Sequence, residues 1–152
     1  MTLRNLLLST FCILALSSCS VGNIGEMEVN GYSHQPEGLH YTIVTFTPSA
    51  NVVMNDLKEE VKAFNEKKHY VEDKLRLSNI FLGANTTSPL LVIRRFDDYD
   101  AANKYARSLK RSLKKSNADL QSVWAISQEN YRNLLRSKDL EAFNNFADKA
   151  HR

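Results

Sequence analysis

After residue 38, hydrophobic positions alternate between the two-residue period of a strand and the 3.6-residue period of a helix. His40–Thr47 (HYTIVTFT) is rich in β-branched and aromatic residues and predicts a first strand. Pro48-Ser49-Ala50-Asn51 ends it, and a helix is predicted from there to about Lys67. The other predicted elements are strands at Leu75–Leu82, Leu90–Phe96 and Ser122–Ser127, a long helix at Tyr99–Lys115, and short helices at Glu129–Leu135 and Lys138–Lys149.

Each predicted helix has one apolar face with residues three or four positions apart. The apolar residues are Val53, Leu57, Val61 and Phe64 in the first helix, Ala102, Ala106, Leu109 and Leu113 in the second, and Leu140, Phe143, Phe146 and Ala147 in the last. Asp97 and Asp98 precede the second long helix, where acidic side chains cap free backbone N–H groups. We therefore expect these helices to pack by one side against the strands.

The order of elements is β-α-β-β-α-β followed by helices, which predicts an α+β fold. Two right-handed β-α-β crossovers around a hairpin give a ferredoxin-like arrangement, with an antiparallel sheet and both long helices on one face. The strands are apolar on both sides, with Tyr41 and Ile43 on one and Val44 and Phe46 on the other. Since a sheet with one wet face alternates more cleanly, we expect the C-terminal helices or a partner to cover part of the second face.

The first 18 residues predict a lipoprotein signal peptide. Arg4 supplies the positive region, Leu6–Leu16 the apolar region, and Leu16-Ser17-Ser18-Cys19 the lipobox pattern of an aliphatic residue, two small residues and cysteine. The apolar run is shorter than the ~20 residues that span a bilayer. Cys19 is therefore the predicted lipidation site, carrying diacylglycerol and an N-acyl chain and attaching the protein to a membrane. The alternative is an ordinary secretory signal that ends near a chance cysteine.

Residues 19–38 are rich in glycine and poor in large apolar residues, which predicts a flexible tether after the lipidated cysteine. Residues 39–152 then form the ferredoxin-like domain with its C-terminal helical extension. Ser20 stands where aspartate is the usual inner-membrane retention signal in proteobacteria. We accordingly expect an outer-membrane anchor, with the domain facing the periplasm. The only other cysteine, Cys12, lies in the signal, so the predicted domain has no thiol or disulfide.

Composition and motifs point away from catalysis and from nucleic acid. The chain has a formal net charge of +3, less basic than a dedicated nucleic-acid binder. The histidines (His34, His40, His69 and His151) lack metal-ligand spacing, and the chain has neither a nucleophile elbow nor a glycine-rich phosphate loop. Helix capping explains the acidic run at Asp97, Asp98 and Asp100 better than a cation site does. We predict a non-enzymatic protein without a metal or other cofactor besides the lipid.

The second long helix carries a row of cations opposite its apolar face: Lys104, Arg107, Lys110, Arg111, Lys114 and Lys115. One interpretation is a solvated face that complements the negative helix C-terminus. The functional interpretation is a surface for an anionic partner, either lipid head groups or an acidic protein. Trp124, in the fourth strand, is expected in the core beside Tyr41 and Phe46, with an exposed platform for a glycan or peptide as the alternative.

The chain over about residues 40–149 resembles a domain that closes tetratricopeptide-repeat lipoproteins of the Bacteroidota gliding-motility and type IX secretion machinery (the SprE/PorW type). The resemblance is carried by His40-Tyr41, Phe64-Asn65, Ser78-Asn79-Ile80, Ile126-Ser127 with Asn130-Tyr131, and Lys138-Asp139 with Phe143 and Phe146. It implies a ferredoxin-like interaction module of an envelope complex. This chain has no repeats, so a scaffold role of the repeats does not transfer.

A weaker resemblance connects VIRRFDDYDAANKYARSLK to the second half of SPOR domains, which bind denuded peptidoglycan strands. Arg94-Arg95-Phe96 stands where that family has a glycine-aromatic strand ending, which puts the likeness in doubt. The sequence thus favours an accessory lipoprotein of an outer-membrane or periplasmic assembly, with a peptidoglycan-binding lipoprotein as the alternative.

Overall fold

The computed structural model describes residues 30–47, 50, 52–71, 73–82 and 89–150. The predicted signal peptide and Cys19 lie outside these residues. The strands are β1 (Glu37–Phe46), β2 (Arg76–Ile80), β3 (Leu90–Asp98) and β4 (Leu120–Ser127), and the helices are α1 (Met54–Lys67), α2 (Tyr99–Leu113), α3 (Gln128–Ser137) and α4 (Leu140–Ala150).

The four strands form one antiparallel sheet in the order β2-β3-β1-β4. β1 is central, and its residue Ile43 pairs with Val92 of β3 on one side and with Trp124 of β4 on the other. Each β-α-β unit therefore crosses over one intervening strand, as in a ferredoxin-like fold. The predicted α+β class and order of elements are confirmed.

The first face of the sheet is covered by α1 and α2. The core on this side includes Val44, Phe46, Leu91 and Ile93 from the strands, Leu57, Val61 and Phe64 from α1, and Ala102, Tyr105, Ala106, Leu109 and Leu113 from α2. The predicted apolar faces are confirmed except at Val53, which is 57% exposed. Val53 precedes α1 with an extended backbone (φ −80°, ψ 101°), so the helical periodicity does not reach it.

A second core lies on the opposite face, under α3 and α4. It contains Tyr41, Ile43 and Val92 from the sheet, Tyr131 and Leu134 from α3, and Phe143, Phe146 and Ala147 from α4. The described part of the chain is thus built in three layers, helices–sheet–helices. This arrangement explains why the strands are apolar on both sides, and it confirms that the C-terminal helices cover part of the second face.

Residues 30–38, assigned from the sequence to a flexible tether, are instead packed on the domain. The Tyr32 side chain is 1% exposed and contacts the rings of Phe143 and Phe146, with centroid separations of 5.4 and 5.8 Å. Asn130 of α3 holds the Ser33 backbone by accepting from its N–H at 3.2 Å and donating to its carbonyl at 2.8 Å. The folded domain therefore begins no later than Asn30, and the predicted boundary at residue 39 is wrong.

Side-chain caps fix where two of the helices begin. The Asp98 carboxylate accepts from the Ala101 N–H at 2.8 Å at the start of α2, as the acidic run predicted. The Ser127 hydroxyl accepts from the Asn130 N–H at 3.2 Å at the start of α3. Because Ser127 is also the last residue of β4, α3 follows the strand without a loop and turns onto the second face.

Candidate functional site

The predicted cationic row of α2 lies on the side of the helix that faces away from the sheet. Lys104, Arg107, Arg111, Lys114 and Lys115 are exposed. Among the described residues, none of these five cations has a carboxylate oxygen within 4 Å. The ion pair found there joins Lys62 and Glu59, which both belong to α1. The positive charge of this row is therefore not neutralised within the described part of the fold.

Arg111 and Lys114 line a groove between α2 and α1 with a volume of about 800 Å³. Two lysines at the end of α1, Lys67 and Lys68, line the same groove, as does Lys115. We call these five cations the basic groove. Sequence reasoning missed Lys67 and Lys68, because the local pattern of α1 does not show which of its residues lie beside α2.

One carboxylate, Glu60, also lines the basic groove, but its oxygens are already engaged. Its Oε1 accepts from the Ser116 hydroxyl, and its Oε2 accepts from the Asn117 side-chain N–H at 3.0 Å. These bonds tie α1 to the turn after α2. A bound anion would therefore meet five cations and one carboxylate that is committed to the fold, an arrangement that attracts negative charge.

The other residues of the predicted surface lie apart from the basic groove. Lys104 and Arg107 are exposed nearer the start of α2. Burial raises the pKa of the Tyr99 phenol, and the positive charge of Arg107 opposes that rise. The predicted surface is thus divided, with Arg111 and Lys114 in the groove and Lys104 and Arg107 outside it.

Lys110 lies apart from both groups of cations, at the edge of the sheet that β4 forms. Its Nζ lies 4.7 Å from the centroid of the Trp124 ring, which is a cation–π contact. The Trp124 indole N–H donates to the side-chain oxygen of Asn144 at 3.2 Å. Trp124 is half-buried on the second face opposite Ile43, whereas Phe46 belongs to the core on the first face. The prediction that Trp124 lies beside Phe46 is therefore wrong. The Trp124 ring is partly covered and does not form an exposed platform.

Two of the described histidines, His34 and His40, take structural positions, and His69 is exposed. Both ring nitrogens of buried His40 lie 2.8 Å from backbone carbonyl oxygens, those of Gly38 and Gln35, so the ring holds residues 35–38 in place. His34 packs its ring edge-on against Tyr99 at 4.8 Å. Within the described residues, no group of three or more His, Cys, Asp or Glu side chains is placed to hold a metal ion. No helix of that same part of the chain is both long and apolar enough to cross a bilayer.

Comparisons of the chain with protein-family models, with curated proteins and with solved structures found no match.

Proposed function

We propose that this protein is a non-enzymatic, lipid-anchored accessory lipoprotein of the cell envelope. In this proposal Cys19 carries the lipid, the outer membrane holds the chain, and the domain faces the periplasm. The domain docks onto an envelope protein assembly, and the resemblance over residues 40–149 suggests secretion or gliding machinery as that assembly.

The observation that carries the proposal is the position of the basic groove relative to the point where the chain enters the domain. Tyr32 inserts into the core on the second face, whereas the groove lies between α1 and α2 over the first face. From Cys19 to Asn30 the chain reaches at most about 40 Å when fully extended. Attachment on the second face favours orientations in which the groove faces away from its own membrane, and in those orientations an acidic protein is a more accessible partner than the lipid head groups of that membrane.

The lipid anchor is tested by replacing Cys19 with alanine and fractionating cells. We expect the protein to leave the membrane fraction while the domain stays folded, because one residue carries the acyl chains. Retention of the Cys19→Ala protein in the membrane fraction would show that another segment anchors it.

The docking surface is tested by charge reversal in the basic groove. We expect Arg111→Glu with Lys114→Glu to abolish recovery of envelope proteins crosslinked to this chain in cells, and rising salt to weaken the same contact in extracts. The matched control is Arg132→Glu with Arg136→Glu on α3, which changes the net charge equally on exposed residues elsewhere. Lys110 is left unchanged because it also packs on Trp124.

Two results would count against docking through the groove. Equal recovery of crosslinked proteins with both double variants would remove the basic groove as the contact surface. Sedimentation of the purified protein with isolated sacculi, without crosslinked envelope proteins, would favour the peptidoglycan-binding alternative.

A further inference from the structure

Arg94, on β3, is a half-buried cation without a carboxylate within 4 Å among the described residues. Its Nη2 donates to the Tyr131 hydroxyl at 3.3 Å, and its guanidinium carbon lies 5.7 Å from the ring centroids of both Tyr41 and Tyr131. Its Nε is buried and has no hydrogen-bond partner among the described residues. The two rings hold the guanidinium in place, but its Nε–H donor is unused within that part of the chain.

A second arginine stands directly beside Arg94. Arg76 of β2 is its partner in the antiparallel register, so both side chains project from the second face of the sheet. Like charges at directly opposite positions of a strand pair destabilise the sheet. Neither arginine has a carboxylate oxygen within 4 Å among the described residues, so no direct ion pair offsets this repulsion there.

Both arginines line one open cleft with a volume of about 680 Å³, within the usual size of small-ligand sites. Lys74 and Arg95 add two more cations to its wall. The carboxylates in the wall are Asp73, Asp97 and Asp98, of which Asp98 caps α2. Tyr41 is fixed there because its hydroxyl accepts from the Gln128 side chain at 3.0 Å.

The packing of α3 on the second face explains why the cleft is open beside Arg94. α3 packs against β1 and β4, so Tyr131 reaches Arg94 from one side only. On the other side of Arg94, the residue that pairs with it on β2 is the exposed Arg76. The guanidinium is therefore stacked on the covered side of the cleft and adjoins another cation on the open side.

We propose that this cleft binds the oxyanion group of a small solute, a phosphate or a carboxylate, between Arg94 and Arg76. A guanidinium presents parallel N–H donors that match two oxygens of either group, and the charge-assisted bonds are stronger than neutral ones. The anion offsets the repulsion between the two arginines and uses donors that the fold leaves idle. This site is independent of the lipid anchor and of the basic groove.

The test is an NMR titration of the purified full chain, ¹⁵N-labelled, with sodium phosphate at constant ionic strength. We expect saturable shifts of the Arg94 Nε–H signal and of the backbone amides around the cleft. A second titration with sodium acetate tells a phosphate site from a carboxylate site. Saturation by either anion supports the proposal, and shifts that grow linearly with both anions would overturn it.

Variants then assign the binding to the two arginines. Arg94→Gln should raise the dissociation constant by about tenfold or more, the usual loss for a charge-assisted contact. Arg76→Gln, at an exposed position, should raise it at least about threefold and gives the answer if Arg94→Gln does not fold. Arg111→Gln in the basic groove is the matched control and should leave it unchanged. Equal affinity in the folded cleft variants and the control would refute the site.

Discussion

The packing of Tyr32 makes a sharp prediction about stability, because its ring is the large apolar side chain by which residues 30–38 enter the core of the second face. Its ring lies in the core of the second face, edge-on to Phe143 and stacked with Phe146. Its hydroxyl lies 3.2 Å from that of Ser137 at the end of α3. Tyr32→Ala removes a buried ring that both C-terminal helices contact.

The expected loss follows from these contacts. Truncation of a fully buried aromatic side chain to alanine costs about 3–5 kcal/mol, from the lost burial and the cavity that remains. Of this, the hydroxyl contact to Ser137 accounts for roughly 1 kcal/mol. Since domains of this size are stable by about 5–15 kcal/mol, Tyr32→Ala should remove a large part of the total.

The assay is urea denaturation of the purified protein, followed by far-UV circular dichroism and by tryptophan fluorescence. Tyr32→Phe keeps the ring and should cost about 1 kcal/mol or less. His34→Ala is the control in the same segment, because His34 is exposed and its loss should cost under about 1 kcal/mol. If Tyr32→Ala lowers the free energy of unfolding by no more than His34→Ala does, the Tyr32 ring does not anchor its segment to the core of the second face.

Three further predictions concern single side chains. Burial raises the pKa of the Tyr105 phenol, and its hydrogen bond to Asn65 opposes that rise. Because this phenol ionises near pH 10 in the unfolded chain, the free energy of unfolding should fall above that pH by up to about 1.4 kcal/mol per pH unit. Tyr105→Phe should make the slope shallower in urea titrations and leave the part due to Tyr32 and Tyr99, whose pKa values burial also raises; an unchanged slope would contradict the buried phenol. Lys110→Met should lower the free energy of unfolding by about 0.5–1 kcal/mol, because it removes the cation–π contact. It should also shift the fluorescence emission of Trp124, the single tryptophan of the chain, and unchanged emission would contradict the contact. Ser127→Ala removes the α3 cap and should cost about 1 kcal/mol by urea denaturation, and no loss would show that the cap is dispensable.

The sequence was sufficient to predict the order of the elements and the existence of a second covered face. Both predictions depend on repeated patterns, since several residues of each strand or helix carry the same signal. In β1, for example, Ile43 and Val44 point to opposite faces and both are fully buried, which requires layers on both sides. An error at one position, such as Val53, does not change such a prediction.

Features that depend on a single side chain could not be found in this way. Tyr32 is one aromatic residue among glycines and polar residues, so its segment has the composition of a linker although the ring is buried. Trp124 lies on β4, which was predicted as a strand, yet its contact with Lys110 reaches around the edge of the sheet from α2. Both contacts join parts of the chain that no local periodicity connects.

The unpaired charges of this domain follow from the same three-layer arrangement. Helices that cover both faces bury the apolar side chains, so the cations of α2 are left on the outer surface and Arg94 at the margin of the second layer. If these cations served only to stabilise the fold, we would expect carboxylates within ion-pair distance of them. Among the described residues, however, the ion pair is Lys62–Glu59 on α1. The basic groove and the arginine cleft share no lining residue, so an anion bound at one site does not occupy the other. The two surfaces can therefore serve different ligands, the groove an acidic protein and the cleft a small oxyanion.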